Sequence, residues 1–133
     1  MWTSVFARHV IGKNYFCRLR MASGSTTGTL KPKLYVLQYD YVADALEKRK
    51  PHRDAHLAHL GKHVENGNLV LAGPVGDPPT ASILIFRNLS SDEIEQFVQQ
   101  DPYTSESVVE KYTINPYIAV FGDPALVNDL IEI

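Results

Sequence analysis

A stretch of helix-forming residues carries Arg53, His56 and His59, and an Asp-Pro-Tyr turn comes later at Asp101-Pro102-Tyr103. A His and an Asp 45 residues apart in the chain can meet only through the fold. Such a pair is a simple device for moving a proton near neutral pH, because a carboxylate that binds one imidazole nitrogen leaves the other free to take or give a proton. Arg53 lies three residues before His56, on adjoining helix surface, and could pair with the aspartate or hold an anionic substrate. Asp101 precedes a proline, which disfavours helical geometry at the aspartate, so its helix should break there and leave the side chain facing a cleft. The bland alternative is a structural hydrogen bond that merely ties the helix to the turn.

A second constellation shares that helix. His52, His56, His59 and His63 are spaced four, three and four apart, within about 60° of arc on an α-helix. Three or four converging imidazoles can bind zinc or copper, but no thiolate or carboxylate on that face completes a set. The expected arrangement is a solvated face with His56 alone turned toward the cleft, with no metal and no cofactor. Gly73-Pro74-Val75-Gly76-Asp77 reads as a tight turn and not a phosphate loop, lacking the Lys-Ser/Thr pair and following helix of that motif. Tyr35 and Tyr39 share one strand face and could line a pocket, although aromatics at that spacing commonly belong to a core or interface.

The elements that must position these residues are well punctuated. Residues 34–40, rich in β-branched and aromatic side chains, predict a first strand. A polar loop over 43–50 leads to Pro51, favoured in the first turn of a helix that should run to Glu65 and stop at Asn66-Gly67. Leu57, Leu60 and Val64 recur at spacings of three and four and predict its buried stripe. Strands are predicted at 69–73, ended by Pro74, and at 81–87. Ser90 and Glu93 form a capping box for a helix with Ile94, Phe97 and Val98 inward. A helical turn within 104–111 and a last strand over 112–121 complete a βαββαβ order. The fold class is therefore α+β and ferredoxin-like, a four-stranded antiparallel sheet with helices on one face. The bare face calls for a partner, and an isologous homodimer is the commonest solution. The apolar segment 122–133 could pack on the sheet or on the second subunit.

Composition bounds the rest. The 133 residues suit one domain plus an extension. Cys17 is the sole cysteine, so an intramolecular disulfide is impossible. Residues 1–33 hold six basic and no acidic side chains, which leaves seven basic and fifteen acidic in the remainder. An acidic body argues against a nucleic-acid partner, and the longest apolar run is too short to span a membrane. Residues 1–30, with spaced arginines and then a Ser/Thr/Gly-rich linker, have the composition of a transit peptide for mitochondria or another organelle. A disordered tail on a cytoplasmic protein, with translation starting at Met21, is the alternative.

Several short motifs gain meaning together: Leu34-Tyr35-Val36, Leu46-Glu47-Lys48-Arg49, Arg53-x-x-His56-Leu57-x-x-Leu60, Glu65-Asn66-Gly67, Ala72-Gly73-Pro74, Asp101-Pro102-Tyr103 and Asn115-Pro116-Tyr117. In this order and spacing, across residues 34–122, the chain resembles the YciI-like (YCII-related) family of dimeric α+β barrel proteins. Its loop over 75–80 is shorter than that of many relatives. The resemblance implies that His56 and Asp101 are the active pair, with Arg53, Tyr35, Gly73, Pro74 and Tyr103 as substrate contacts on domain 31–133. It also implies a cofactor-free enzyme of lyase or isomerase type that moves a proton on a small molecule. The competing expectation is a non-catalytic barrel that binds a metabolite or docks a partner.

Overall fold

The computed structural model describes residues 34–123. The expected extension over 1–30 and the apolar tail at 126–131 lie outside them. Strand β1 (Leu34–Tyr41) leads through a one-turn helix α1 (Ala45–Lys48) and a 3-10 turn (Lys50–His52) into helix α2 (Arg53–Glu65). Strands β2 (Leu69–Val75) and β3 (Ala81–Arg87) come next, then α3 (Ser91–Gln100), one-turn α4 (Pro102–Ser105) and β4 (Val109–Tyr117). The strands form one antiparallel sheet in the order β2-β3-β1-β4. This is the expected ferredoxin-like α+β arrangement, with both long helices on one face. Among the described residues no helix is long and apolar enough to cross a membrane.

Alternation along β1 decides what faces the helices. Leu37 and Tyr39 are completely buried on that side, with Tyr35 and Tyr41 flanking them. They meet Leu84 and Phe86 of β3 and Ile94, Phe97 and Val98 of α3 in a single core. The capping box forms as expected: the Glu93 N–H donates to Ser90 Oγ at 3.2 Å, and the Ser90 N–H donates to Glu93 Oε2 at 2.7 Å. Those bonds from Ser90 hold the Glu93 carboxyl below its usual range. On the opposite face Leu71, Val75 and Ile83 are exposed, while one end is covered by Ala119, which clusters with Leu34, Val70 and Ile85.

Four expectations need correction. The polar loop at 43–50 is helical, because Ala45, Leu46, Glu47 and Lys48 all favour a helix. β2 does not end at Pro74 but continues to Val75, since an edge strand tolerates a proline. β4 lies earlier than 112–121, anchored by buried Val108 and Val109, and the helical turn before it starts at Pro102 rather than 104. The fourth correction concerns α2. Leu57 is 44% and Val64 57% exposed, with Leu60 half-buried, whereas His56 and His59 are each 8% exposed. The histidines form the inward stripe, not the solvated one.

A histidine can face a core because its ring is flat, largely apolar and able to satisfy its own N–H. His59 stacks on Phe97 at 4.4 Å and donates from Nε2 to the Phe97 carbonyl at 2.9 Å. His63 meets Phe86 and Phe97 edge-on, and its Nδ1 is buried with no hydrogen-bond partner. Burial first, then the charges of His59 and Lys62, lowers the His63 pKa from its ordinary 6.5. Protonation therefore favours the unfolded chain: the stability His63 contributes is intact above about pH 6.5 and declines as pH falls from there. The melting temperature of the wild type should drop more between pH 7 and pH 5 than that of His63→Leu. Parallel curves for the two proteins would refute this.

Candidate functional site

Asp101 is where three elements are tied together. It ends α3 in an extended conformation and caps α4, its Oδ1 accepting from the Tyr103 N–H at 2.9 Å with Pro102 as the first helical residue. The same oxygen lies 2.8 Å from Nδ1 of His56 on α2, and Oδ2 accepts from the Tyr39 hydroxyl of β1 at 3.0 Å. The carboxylate is completely buried. This corrects the expectation of a cleft-facing aspartate: the helix breaks as predicted, but the freed side chain turns into the protein, where three donors await it.

The histidine is held as firmly. Its ring stacks on that of Tyr103, with centroids 3.7 Å apart and planes within 3°. With Asp101 accepting from Nδ1–H, the tautomer is set and Nε2 is left for the pocket that His56 lines. Burial, reinforced by the Asp101 charge and their hydrogen bond, pushes the Tyr39 phenol far above its ordinary range. Tyr39 accordingly stays a proton donor to the carboxylate. Burial also raises Tyr103, opposed by the positive charges of Arg49 and Arg53.

The pocket has a volume of about 190 Å³, below the roughly 300–1,000 Å³ usual for drug-sized ligands. His56, Arg53, Leu57 and Leu60 supply its α2 wall, and Tyr103 and Tyr41 close one side. Ala72, Gly73 and Pro74 of β2 and Ser82 and Leu84 of β3 form the floor. Ala72, Gly73 and Pro74 also border the apolar surface formed by Leu71, Val75, Ile83 and Ile85. Five of the expected residues thus converge on the pocket: His56, Arg53, Gly73, Pro74 and Tyr103. Asp101 lies beneath them, and Arg53 does not pair with it, since the carboxylate's partners are His56, Tyr39 and Tyr103. Tyr35 packs against the hydrophobic core and is not part of the pocket lining.

The four-histidine arc is drawn into separate tasks. His52 lies 3.8 Å from Glu106, His56 binds Asp101, His59 binds a carbonyl, and His63 faces phenylalanines. Among the described residues no group of three or more His, Cys, Asp or Glu is placed to hold a metal ion. Sequence reasoning missed Arg49, Tyr41 and Ser82 as pocket residues, and missed that Tyr39 serves the aspartate. The period-two alternation of β1 does place Tyr39 and Tyr41 on the helix side, and Arg49 lies one helical turn before Arg53.

The fold has counterparts among known proteins. Residues 33–118 match the YCII-related domain. The chain is 35% identical over 97 residues to "Protein YciI" of Escherichia coli O6:H1, covering 66% of this chain and 99% of that protein. The same figures hold for "Protein YciI" of Shigella flexneri. Among solved structures it is similar to 5-chloro-2-hydroxyhydroquinone dehydrochlorinase of Burkholderia phenoliruptrix AC1100, in complex with 2,5-dihydroxybenzoquinone. That likeness has a TM-score of 0.55 and 25% identity, over 63% of this chain and 92% of the other.

Proposed function

The chain belongs to the YCII-related family, and from that premise we propose that it is a cofactor-free enzyme that moves a proton on a small molecule, in a lyase or isomerase reaction. The observation that carries the proposal is the His56–Asp101 pair, with Nδ1 bound at 2.8 Å, the ring stacked on Tyr103, and the remaining nitrogen left for a small pocket. His56 is the general base or acid, and Asp101 orients it and stabilises its protonated form. The likeness to an enzyme of hydroxylated six-membered rings supports a substrate of that size. The test is exchange of ring hydrogens of 2,5-dihydroxybenzoquinone and of hydroxyhydroquinones for deuterium in D2O. Wild type should accelerate exchange in at least one of these compounds, and His56→Gln should lose about 10²–10⁴-fold of that rate. Equal rates for the two proteins would defeat the reading.

Full burial of Asp101 favours a second reading, in which the pair is structural and the barrel only binds a metabolite. Under it, ligands shift the His56 NMR signals while no exchange is catalysed.

We also propose a two-fold homodimer formed through the sheet face opposite the helices, where Leu71, Val75 and Ile83 are exposed. Light scattering on the full chain should give the dimer mass, and Ile83→Lys should shift it toward the monomer. A stable wild-type monomer at micromolar concentration would overturn this. The basic, acid-free composition of residues 1–30 supports organellar targeting as a further proposal.

A further inference from the structure

We propose that Arg49 and Arg53 form a two-guanidinium clamp that restricts the pocket to small organic oxyanions, such as a carboxylate or a ring enolate. The clamp deepens the proton-transfer reading and rests on it for the chemical step after binding. Both residues line the pocket, one from the end of α1 and the other from the start of α2. Both charges also reach the Tyr103 phenol of that lining, where they oppose the rise that burial causes.

Neither guanidinium has a hydrogen bond or an ion pair among the described residues; Lys48 and Lys62 share that property, but they do not line the pocket, and the other described cations are engaged. Lys50 binds Glu47 at 2.6 Å, Lys111 lies 3.6 Å from Asp40, and Arg87 donates to the Gly67 carbonyl at 2.6 Å. A guanidinium carries donors in a planar fork that fits a carboxylate or a delocalised enolate, and it gains most where water is partly excluded. The local charge also runs against the rest of the domain. Residues 34–133 carry seven basic and fifteen acidic side chains, yet among the described residues no acidic one lines the pocket. The carboxylate behind His56, Asp101, is completely buried and bound to His56, Tyr39 and Tyr103. A volume near 190 Å³ limits the anion to one ring or a few carbons. In such a complex the arginines hold the oxyanion and fix which atom reaches His56.

The test compares benzoate with benzamide, its neutral counterpart of the same shape, by isothermal titration against the folded full chain. Benzoate should bind wild type at least tenfold more tightly than benzamide. Arg49→Gln and Arg53→Gln should each weaken benzoate at least tenfold and leave benzamide unchanged. Arg49→Lys should recover only part of the loss, because a point charge cannot reproduce the fork. Thermal melts establish that each variant is folded, as expected for residues half-buried or exposed. Equal binding of benzoate and benzamide, benzoate binding indifferent to both Gln variants, or no benzoate binding at millimolar concentration would each overturn the clamp. Inorganic phosphate bound as tightly as benzoate would overturn its assignment to organic anions. If arginine-dependent benzoate binding holds while no deuterium exchange is found, the clamp stands and the proton-transfer reading falls. Exchange that persists unchanged in both Gln variants removes the clamp and leaves that reading intact.

Discussion

Asp101→Ala should destabilise the domain by about 3–5 kcal/mol, since stranding each buried donor costs about 1–3 kcal/mol. The loss strands three buried donors together: the His56 Nδ1–H, the Tyr39 hydroxyl and the Tyr103 N–H. It also uncaps α4. Total stability of a domain this size is about 5–15 kcal/mol, so the loss removes a large share of it. Asp101→Asn should behave differently. The amide preserves shape, its oxygen can still accept from His56 and Tyr103, and the Tyr39 hydroxyl can turn to accept from its nitrogen. That protein should fold, yet turn over about 10²–10⁴-fold more slowly, because a neutral amide does not stabilise the protonated imidazole. Urea denaturation and the deuterium-exchange assay together check both expectations. A loss below about 1 kcal/mol for the Ala variant would mean that water satisfies the abandoned donors. An Asn variant with wild-type turnover would remove the carboxylate from the mechanism.

Phe97→Ala should cost a comparable amount, about 3–5 kcal/mol by the usual penalty for emptying a buried aromatic site. Phe97 is 1% exposed and is the hub on which α2 rests: His59 stacks on it, His63 meets it edge-on at 4.9 Å, and Phe86, which His63 also meets, lies 4.9 Å from it. Its removal loosens the seam between α2 and α3, which carry the two halves of the His56–Asp101 pair. The His56 NMR signals should broaden in this variant even where the protein remains folded. A stability change under about 1.5 kcal/mol would show that the histidine stripe finds other support.

Much of the architecture was legible in the chain. Strand β3 matched its expected bounds and β1 ran one residue longer. The Ser90–Glu93 box and Gly67, with a φ of 75°, placed helix ends where side-chain chemistry required them. The site pair was legible for a different reason: His56 and Asp101 belong to motifs that recur in order along the family resemblance. What misled was α2. A rule that sends leucine and valine inward chose Leu57 and Val64, but the floor beneath the helix is Phe97 and Tyr103, and flat imidazoles fit those rings and still satisfy their polar atoms. Counting apolar residues cannot register a stripe built from rings with both characters. Asp101 was misplaced in depth for a related reason. Its local context announced a helix break, but its three donors come from α2, β1 and α4, which no local pattern brings together.

The two rims of the sheet share a property that bears on how such molecules behave when crowded. β2 and β4 are the outer strands, and each contains a proline, Pro74 in one and Pro116 in the other. A proline has no N–H to offer an incoming strand, so the ladder along either rim is interrupted within the strand itself. Continuous lateral growth, the route by which exposed strand edges seed fibrils, is thereby obstructed at both ends of the sheet.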